Sequence, residues 1–209
     1  DYGDRLQAVN QIRELDPVDA FELVQLAAND GNARVRYAAV SQLATLGTQN
    51  LETSKSLLRR TLTNDPEPDV QAAAADAIGG LQLRSVFPDL ADVYHNSGEW
   101  LVKFSIVAAL GELGEPEAFP LLQEALKSDN ELIATAAIGA LGELGDERAL
   151  PLLLEYTSHP DWQVRHRLAQ ALAQFSTPEA TSALNELAQD NSEIVAQAAR
   201  HHMEHDAVQ

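Results

Sequence analysis

A period of about 31 residues runs through the whole chain and restricts its fold more than any other feature. Residues 109–117 read ALGELGEPE, and residues 140–148 read ALGELGDER. One β-branched position anchors each copy: Val35, Val70, Val102, Ile133, Val164 and Val195, spaced by 35, 32, 31, 31 and 31 residues. Four residues beyond the anchors stand Ala39, Ala74, Ile106, Ala137, Leu168 and Ala199. Eight residues beyond stand Leu43, Ile78, Leu110, Leu141, Leu172 and Met203. Positions i, i+4 and i+8 share one helix face. Each anchored helix is followed by Gly or Pro punctuation and then a second apolar run, as at 116–125 (PEAFPLLQEA) and 148–156 (RALPLLLEY). No segment alternates as a strand does. A single helix pair cannot bury its apolar face, so the pairs must stack into a continuous core.

The period predicts anchored helices near 4–15, 32–46, 67–81, 99–113, 130–144, 161–175 and 192–205 in one repeat domain spanning 1–209. Gly114 and Gly145 fit left-handed helix ends. Pro120 and Pro151 fall where a first turn tolerates a missing N–H. Asp30, Asp65, Asp129 and Asp190 precede anchored helices and are expected to cap them. Residues 1–15 (DYGDRLQAVNQIREL) read as the anchored helix of a further repeat, with its partner helix expected upstream.

Composition removes several classes of function. The chain has no cysteine, which excludes an internal disulfide framework, a zinc ribbon, an iron–sulfur cluster and a thiol nucleophile. No apolar run reaches the roughly 18 residues of a membrane span, and no signal segment is visible, so a cytoplasmic setting is the expectation. The net charge is −18, from 14 basic and 32 acidic residues. It divides unevenly: residues 1–60 carry 7 basic and 8 acidic groups, whereas residues 61–209 carry 7 and 24. Such a surface is soluble and argues against nucleic acid, which needs clustered Lys and Arg.

The pattern of Asp, then Val-Arg, then Ala-Ala-x-x-Leu-Gly resembles the HEAT repeat. The short Ala-rich form with L-G-E-L-G-D resembles HEAT-like repeats of the phycobilisome-lyase type. The stretches NARVRYAAVSQLATLG, DVQAAAADAIGGL and EWLVKFSIVAALGELG, with DYGDRLQAVNQIREL, are similar to the cyanobacterial phycobilisome-degradation (non-bleaching) family, itself similar to the E and F subunits of bilin lyases. The period counts about six and a half pairs, and the resemblance implies a right-handed α-solenoid with the Val-Arg helices on its concave side. It implies phycobilisome breakdown or bilin handling, with phycocyanin, allophycocyanin and a small degradation adaptor as partners. It also implies a place at the phycobilisome on the thylakoid surface, and pairing with a second solenoid or with a copy of itself. A non-catalytic scaffold for another cofactor or assembly pathway is the competing reading.

Repeat register then selects candidate residues. Glu99, Trp100, Lys103 and Phe104 are equivalent to Asp161, Trp162, Arg165 and His166. Each set puts an acid, an indole, a cation and a ring on about one helical turn. A bilin such as phycocyanobilin offers a flat conjugated body, two propionates and pyrrole N–H groups. Aromatic faces suit the first, cations the second and carboxylates the third. The two tryptophans could equally cover core between repeats. Arg36 and Arg165 could equally belong to an Asp–Arg ladder that ties neighbouring repeats. His95, in VYHNSGEW, and His166 are the candidates for proton transfer. Without cysteine, any bilin would be held non-covalently, and detachment would act on a thioether of the partner. His201 and His205 stand at metal-binding helical spacing around Glu204, but lack a third fixed ligand, so no metal is assigned. The chain has neither a His-Glu dipeptide, which argues against the di-iron helical-repeat hydroxylases, nor a Gly-rich phosphate loop.

Overall fold

The computed structural model describes residues 1–206, with side chains through His202. Thirteen α-helices and no strand occur among the described residues. The helices are α1 (Tyr2–Gln11), α2 (Pro17–Ala27), α3 (Ala33–Leu46), α4 (Leu51–Asn64), α5 (Pro68–Gly80), α6 (Phe87–Asn96) and α7 (Trp100–Leu113). There follow α8 (Phe119–Ala125), α9 (Glu131–Leu144), α10 (Leu150–Leu154), α11 (Trp162–Leu172), α12 (Pro178–Leu187) and α13 (Glu193–Asp206). The chain forms two compact units, Asp1–Leu113 and Gly114–Gln209, where the sequence suggested one continuous repeat domain.

In the first unit, α3 packs on α1, α2 and α5, and α5 packs on α4 and α7. In the second, α9 packs on α8 and α11, and α11 packs on α12 and α13. The anchored helices thus lie side by side within each unit, and α3, α5, α7, α9 and α13 are each backed by the helix that precedes them. All six anchors are buried, as are their partners at +4 and +8 from Ala39 to Ala199; Met203 lies outside the described side chains. The periodic residues are therefore the core, and the fold class is an all-α helical repeat of the solenoid type.

Close approach of neighbouring helices rests on small residues at fixed register. Gly79 and Gly142 each stand nine residues after an anchor. They face Ala109 and Ala171, each seven after the next anchor. A Cβ on Gly79 would lie 2.8 Å from the Ala109 Cα. Gly80 differs: its nearest neighbour, the Ala44 Cβ, would be 3.8 Å away. Gly80→Ala fits that space and should raise unfolding stability by about 0.5–1 kcal/mol, because glycine loses more backbone entropy in a helix. Urea unfolding checks this, and a loss of stability would contradict it.

Charged residues tie the repeats together. Arg5 pairs with Asp30 at 2.6 Å, Arg36 with Asp65 at 2.7 Å and Arg165 with Asp190 at 2.6 Å. These aspartates do not cap helices as expected. The capping side chains are Asn32 for α3 and Asn130 for α9, so Asp129 does not cap either. Asp30, Asp65 and Asp190 lie two residues before the N-cap or helix entry. There each accepts from a turn N–H, of Asn32, Glu67 or Ser192, and from a ladder arginine. Two lone-pair sets are spent on the turn and the guanidinium, leaving none aimed at the helix start. Gly114 (φ 61°) and Gly145 (φ 65°) adopt the left-handed conformation expected, and Pro120 and Pro151 sit in first turns.

Candidate functional site

The anchored helices of the first unit enclose a groove of about 590 Å³. Its walls are Leu6 of α1, Tyr37 and Ala38 of α3, Ala72 and Ala73 of α5, and Leu101 of α7. Alanines make the floor because α5 reads QAAAAD, and small side chains leave volume where larger ones would fill it. Tyr37 exposes 48% of its surface, so its ring remains available to a ligand. Such a groove lies within the volume range of small-molecule sites. The polar groups around it are few: Arg34, Glu67, Asp69, Asp76 and Ser105.

Asp76 is the unusual one. It stands in an alanine-rich helix and is exposed to water, yet neighbouring protein crowds it on the groove side. That crowding pushes its carboxyl above the ordinary aspartate range, while the neighbouring Ser105 hydroxyl pulls the other way. Ser105 itself is buried. The anchor-based register did not select Asp76. The visible signal was one acid interrupting AAAA-D-AIGG, six residues after Val70, on the face that also carries Tyr37 and Ser105.

The first predicted set divides between directions. Trp100 opens α7 and is 48% exposed, Glu99 is exposed, and Phe104 is half-buried. Lys103 turns toward α6, with its Nζ 5.0 Å from the ring centre of buried Tyr94. His95 meets the same ring edge-on, 5.5 Å between centroids. Lys103 and His95 thus join an aromatic–cation cluster at the α6–α7 corner, and neither lines the groove. Glu99 and Lys103 share one side of the helix and Trp100 and Phe104 the next, so the four side chains spread over an arc of about 140° and do not meet at one point.

The second set lies in the second unit. Trp162 is 41% exposed and His166 is half-buried. Asp161 caps α11, accepting from the Gln163 N–H at 2.8 Å. Arg165 must be removed from the ligand-binding set. Its guanidinium donates to both Asp190 oxygens, to Asn191 and to the carbonyls of His159 and Pro160. With its donors spent and only 9% of its surface exposed, it has none to offer a propionate. Arg36 is placed likewise, on Asp65 and the Asp30 carbonyl. His201 packs edge-on against His202, whereas the side chains of Glu204 and His205 lie outside the described residues. Among the described residues, no three His, Asp or Glu side chains gather as a metal cluster. No described helix is long and apolar enough to cross a membrane.

The HEAT-repeat family model matches residues 1–79, 56–138 and 126–204, which together span most of the chain. No curated protein matches it. Among solved structures, the complex of CpcE and CpcF of phycocyanin lyase from Nostoc sp. PCC7120 is similar, with a TM-score of 0.69 at 21% identity. The match covers 88% of this chain and 74% of that one. The YibA protein of Escherichia coli has a TM-score of 0.63 at 17% identity, over 92% and 71%. An engineered protein has a TM-score of 0.59 at 19% identity, over 88% and 97%. At these identities the likeness is one of fold.

Proposed function

Because the chain belongs to the HEAT-repeat family, we propose that it is a binding module for a phycobiliprotein and its bilin, working in phycobilisome degradation. The anchored-helix face is the surface that does the binding. The observation that carries this reading is the groove of about 590 Å³ on that face, walled by alanine, leucine and the exposed Tyr37 ring. A flat conjugated ligand is matched by such walls. The sequence stretches similar to the phycobilisome-degradation family support it. So does the fold shared with a phycocyanin lyase complex.

Phycocyanin and allophycocyanin are the proposed partners, with a small degradation adaptor, at the phycobilisome in the cytoplasm. The chain has no cysteine, so it holds phycocyanobilin non-covalently. Any contribution to detachment is orientation of the chromophore and proton transfer, on a thioether that belongs to the partner. Trp100 and Trp162, half-exposed at the starts of their helices, supply stacking surface at two places on the chain. Glu99, Phe104 and His166 remain as neighbouring contacts.

Titration of free phycocyanobilin, followed by visible absorbance and tryptophan fluorescence, tests the proposal. Trp100→Ala and Trp162→Ala should each weaken, by about tenfold or about 1.4 kcal/mol, the uptake at its own place on the chain and leave the other unchanged. Their melting temperatures should stay within about 2 °C, because surface substitutions cost little. Earlier melting with unchanged uptake would make the tryptophans packing residues. Calorimetry with holo-phycocyanin and holo-allophycocyanin completes the test. No association with either, together with no bilin uptake, would leave the scaffold reading in possession.

A further inference from the structure

We propose that Asp76 anchors a ligand site in the first unit's groove, one that takes a planar apolar molecule presenting an N–H donor or a delocalised cation. For its natural ligand, a bilin, this rests on the function proposed above, but the chemistry it names is wider and separately testable.

Asp76 contributes little to the fold. Aspartate is a poor residue for a helix interior, and its neighbours on both sides are alanines. Asp30, Asp65 and Asp190 each hold a ladder arginine, whereas Asp76 has no ion-pair partner within 4 Å among the described residues. The Ser105 hydroxyl is the side-chain hydrogen-bond partner that acts on its carboxyl. A carboxylate beside Leu6, Ala38, Ala72, Ala73 and Leu101 gives up part of its hydration on the groove side while staying exposed on the other, and the fold returns little for it. Residues that cost stability at a concave apolar surface are the usual signature of a site.

The surroundings then select the ligand. Arg34 and Tyr37 face the groove from α3, Glu67 and Asp69 from the start of α5, and Ser105 from α7; α1 contributes only Leu6. Three carboxylates against one guanidinium disfavour an anionic group at the floor. The walls accept a flat apolar body, and the Tyr37 ring can stack on it. The acceptor left for that body is the Asp76 carboxylate, and a charge-assisted N–H bond to it would be strong in this partly dehydrated setting. A protonated bilin fits, with its pyrrole N–H groups at Asp76 and its propionates toward Arg34 or solvent. A planar aromatic cation fits by the same chemistry.

The experiment titrates the whole chain with two probes, phycocyanobilin and proflavine, a planar cation with N–H donors. It compares the wild type with Asp76→Asn, which keeps the shape and removes the charge. Asp129→Asn, in the second unit, removes one exposed charge elsewhere and controls for general electrostatics. At pH 7, Asp76→Asn should weaken proflavine at least tenfold and phycocyanobilin about fivefold, while Asp129→Asn changes neither by more than about twofold. As pH falls toward 4, the wild type should lose proflavine affinity more steeply than Asp76→Asn, because protonation removes the acceptor charge. Asp76→Asn should melt at the same temperature or higher, so a binding loss cannot be assigned to misfolding.

Phycocyanobilin bound equally by wild type and Asp76→Asn overturns the Asp76 site and leaves the function standing. Proflavine bound through Asp76 without any bilin uptake overturns the function and leaves the site. If neither probe binds the wild type, both fall.

Discussion

Replacing Asp190 with alanine should lower unfolding stability by about 2–4 kcal/mol and the melting temperature by about 5–10 °C. The reason is the charge it leaves behind. Arg165 and Asp190 side chains are only 10% and 9% exposed, and they meet through two hydrogen bonds of 2.6 and 2.8 Å. Without the carboxylate, a covered guanidinium keeps its bonds to the carbonyls of His159 and Pro160 but loses its counter-charge. The pair lies close beneath the surface, not deep in the core, so the expected loss is below that for a fully dehydrated pair. Removing both charges together, as Arg165→Met with Asp190→Leu, should recover much of it, since no ion is then left uncompensated. A double variant no better than Asp190→Ala would contradict this account.

The same pair makes a pH prediction. The Arg165 guanidinium holds the Asp190 carboxyl below the ordinary aspartate range; burial opposes this and the Ser192 N–H assists it. A carboxyl lowered in the folded state stabilises fully above its unfolded value, and that contribution is lost as pH falls through the folded value. The gap between wild type and Asp190→Ala should therefore be widest near pH 6–7 and narrow below about pH 4. Urea unfolding at a series of pH values measures it, and a gap constant down to pH 3 would count against the pairing.

Gly142→Val should cost about 3 kcal/mol or more. A Cβ at Gly142 would stand 2.5 Å from the Ala171 Cα and 2.6 Å from its Cβ, closer than atoms tolerate. The obstacle is backbone, so relief requires α9 and α11 to move apart, and core contacts along both are lost with them. Gly139 gives the internal comparison. There the added Cβ would meet the Arg167 side chain, which can swing aside at the loss of its 3.2 Å contact with Glu143. Gly139→Ala should cost only about 1 kcal/mol. Equal losses at the two glycines would refute the distinction between backbone and side-chain obstacles.

These glycines show how much was legible beforehand. The anchors from Val35 to Val195 and their +4 and +8 partners were readable as a core, because periodicity reports which face is dry. Helix ends followed from the same period to within a residue or two at most boundaries, and Gly145 was readable as a left-handed end. The Asp–Arg alternative for Arg165 was readable too. What selected it was the position of Asp190, 25 residues along and brought within 2.6 Å by the stacking of α11 on α13. Lys103 went the same way, drawn over Tyr94 at the α6–α7 corner.

Asp76 escaped the periodic reading because register averages over repeats, and this residue is an exception to its repeat. The amino-acid sequence by itself determined an all-α repeat chain, its dry face, its acidity and its lack of any thiol, because those depend on composition and on spacing along one helix. Tertiary structure alone decided which charges are spent on the ladder, which tryptophan faces stay open and where alanine leaves a groove with a carboxylate in it. Those outcomes depend on distances between residues 25 or more positions apart, and only the packing of one helix on the next sets them.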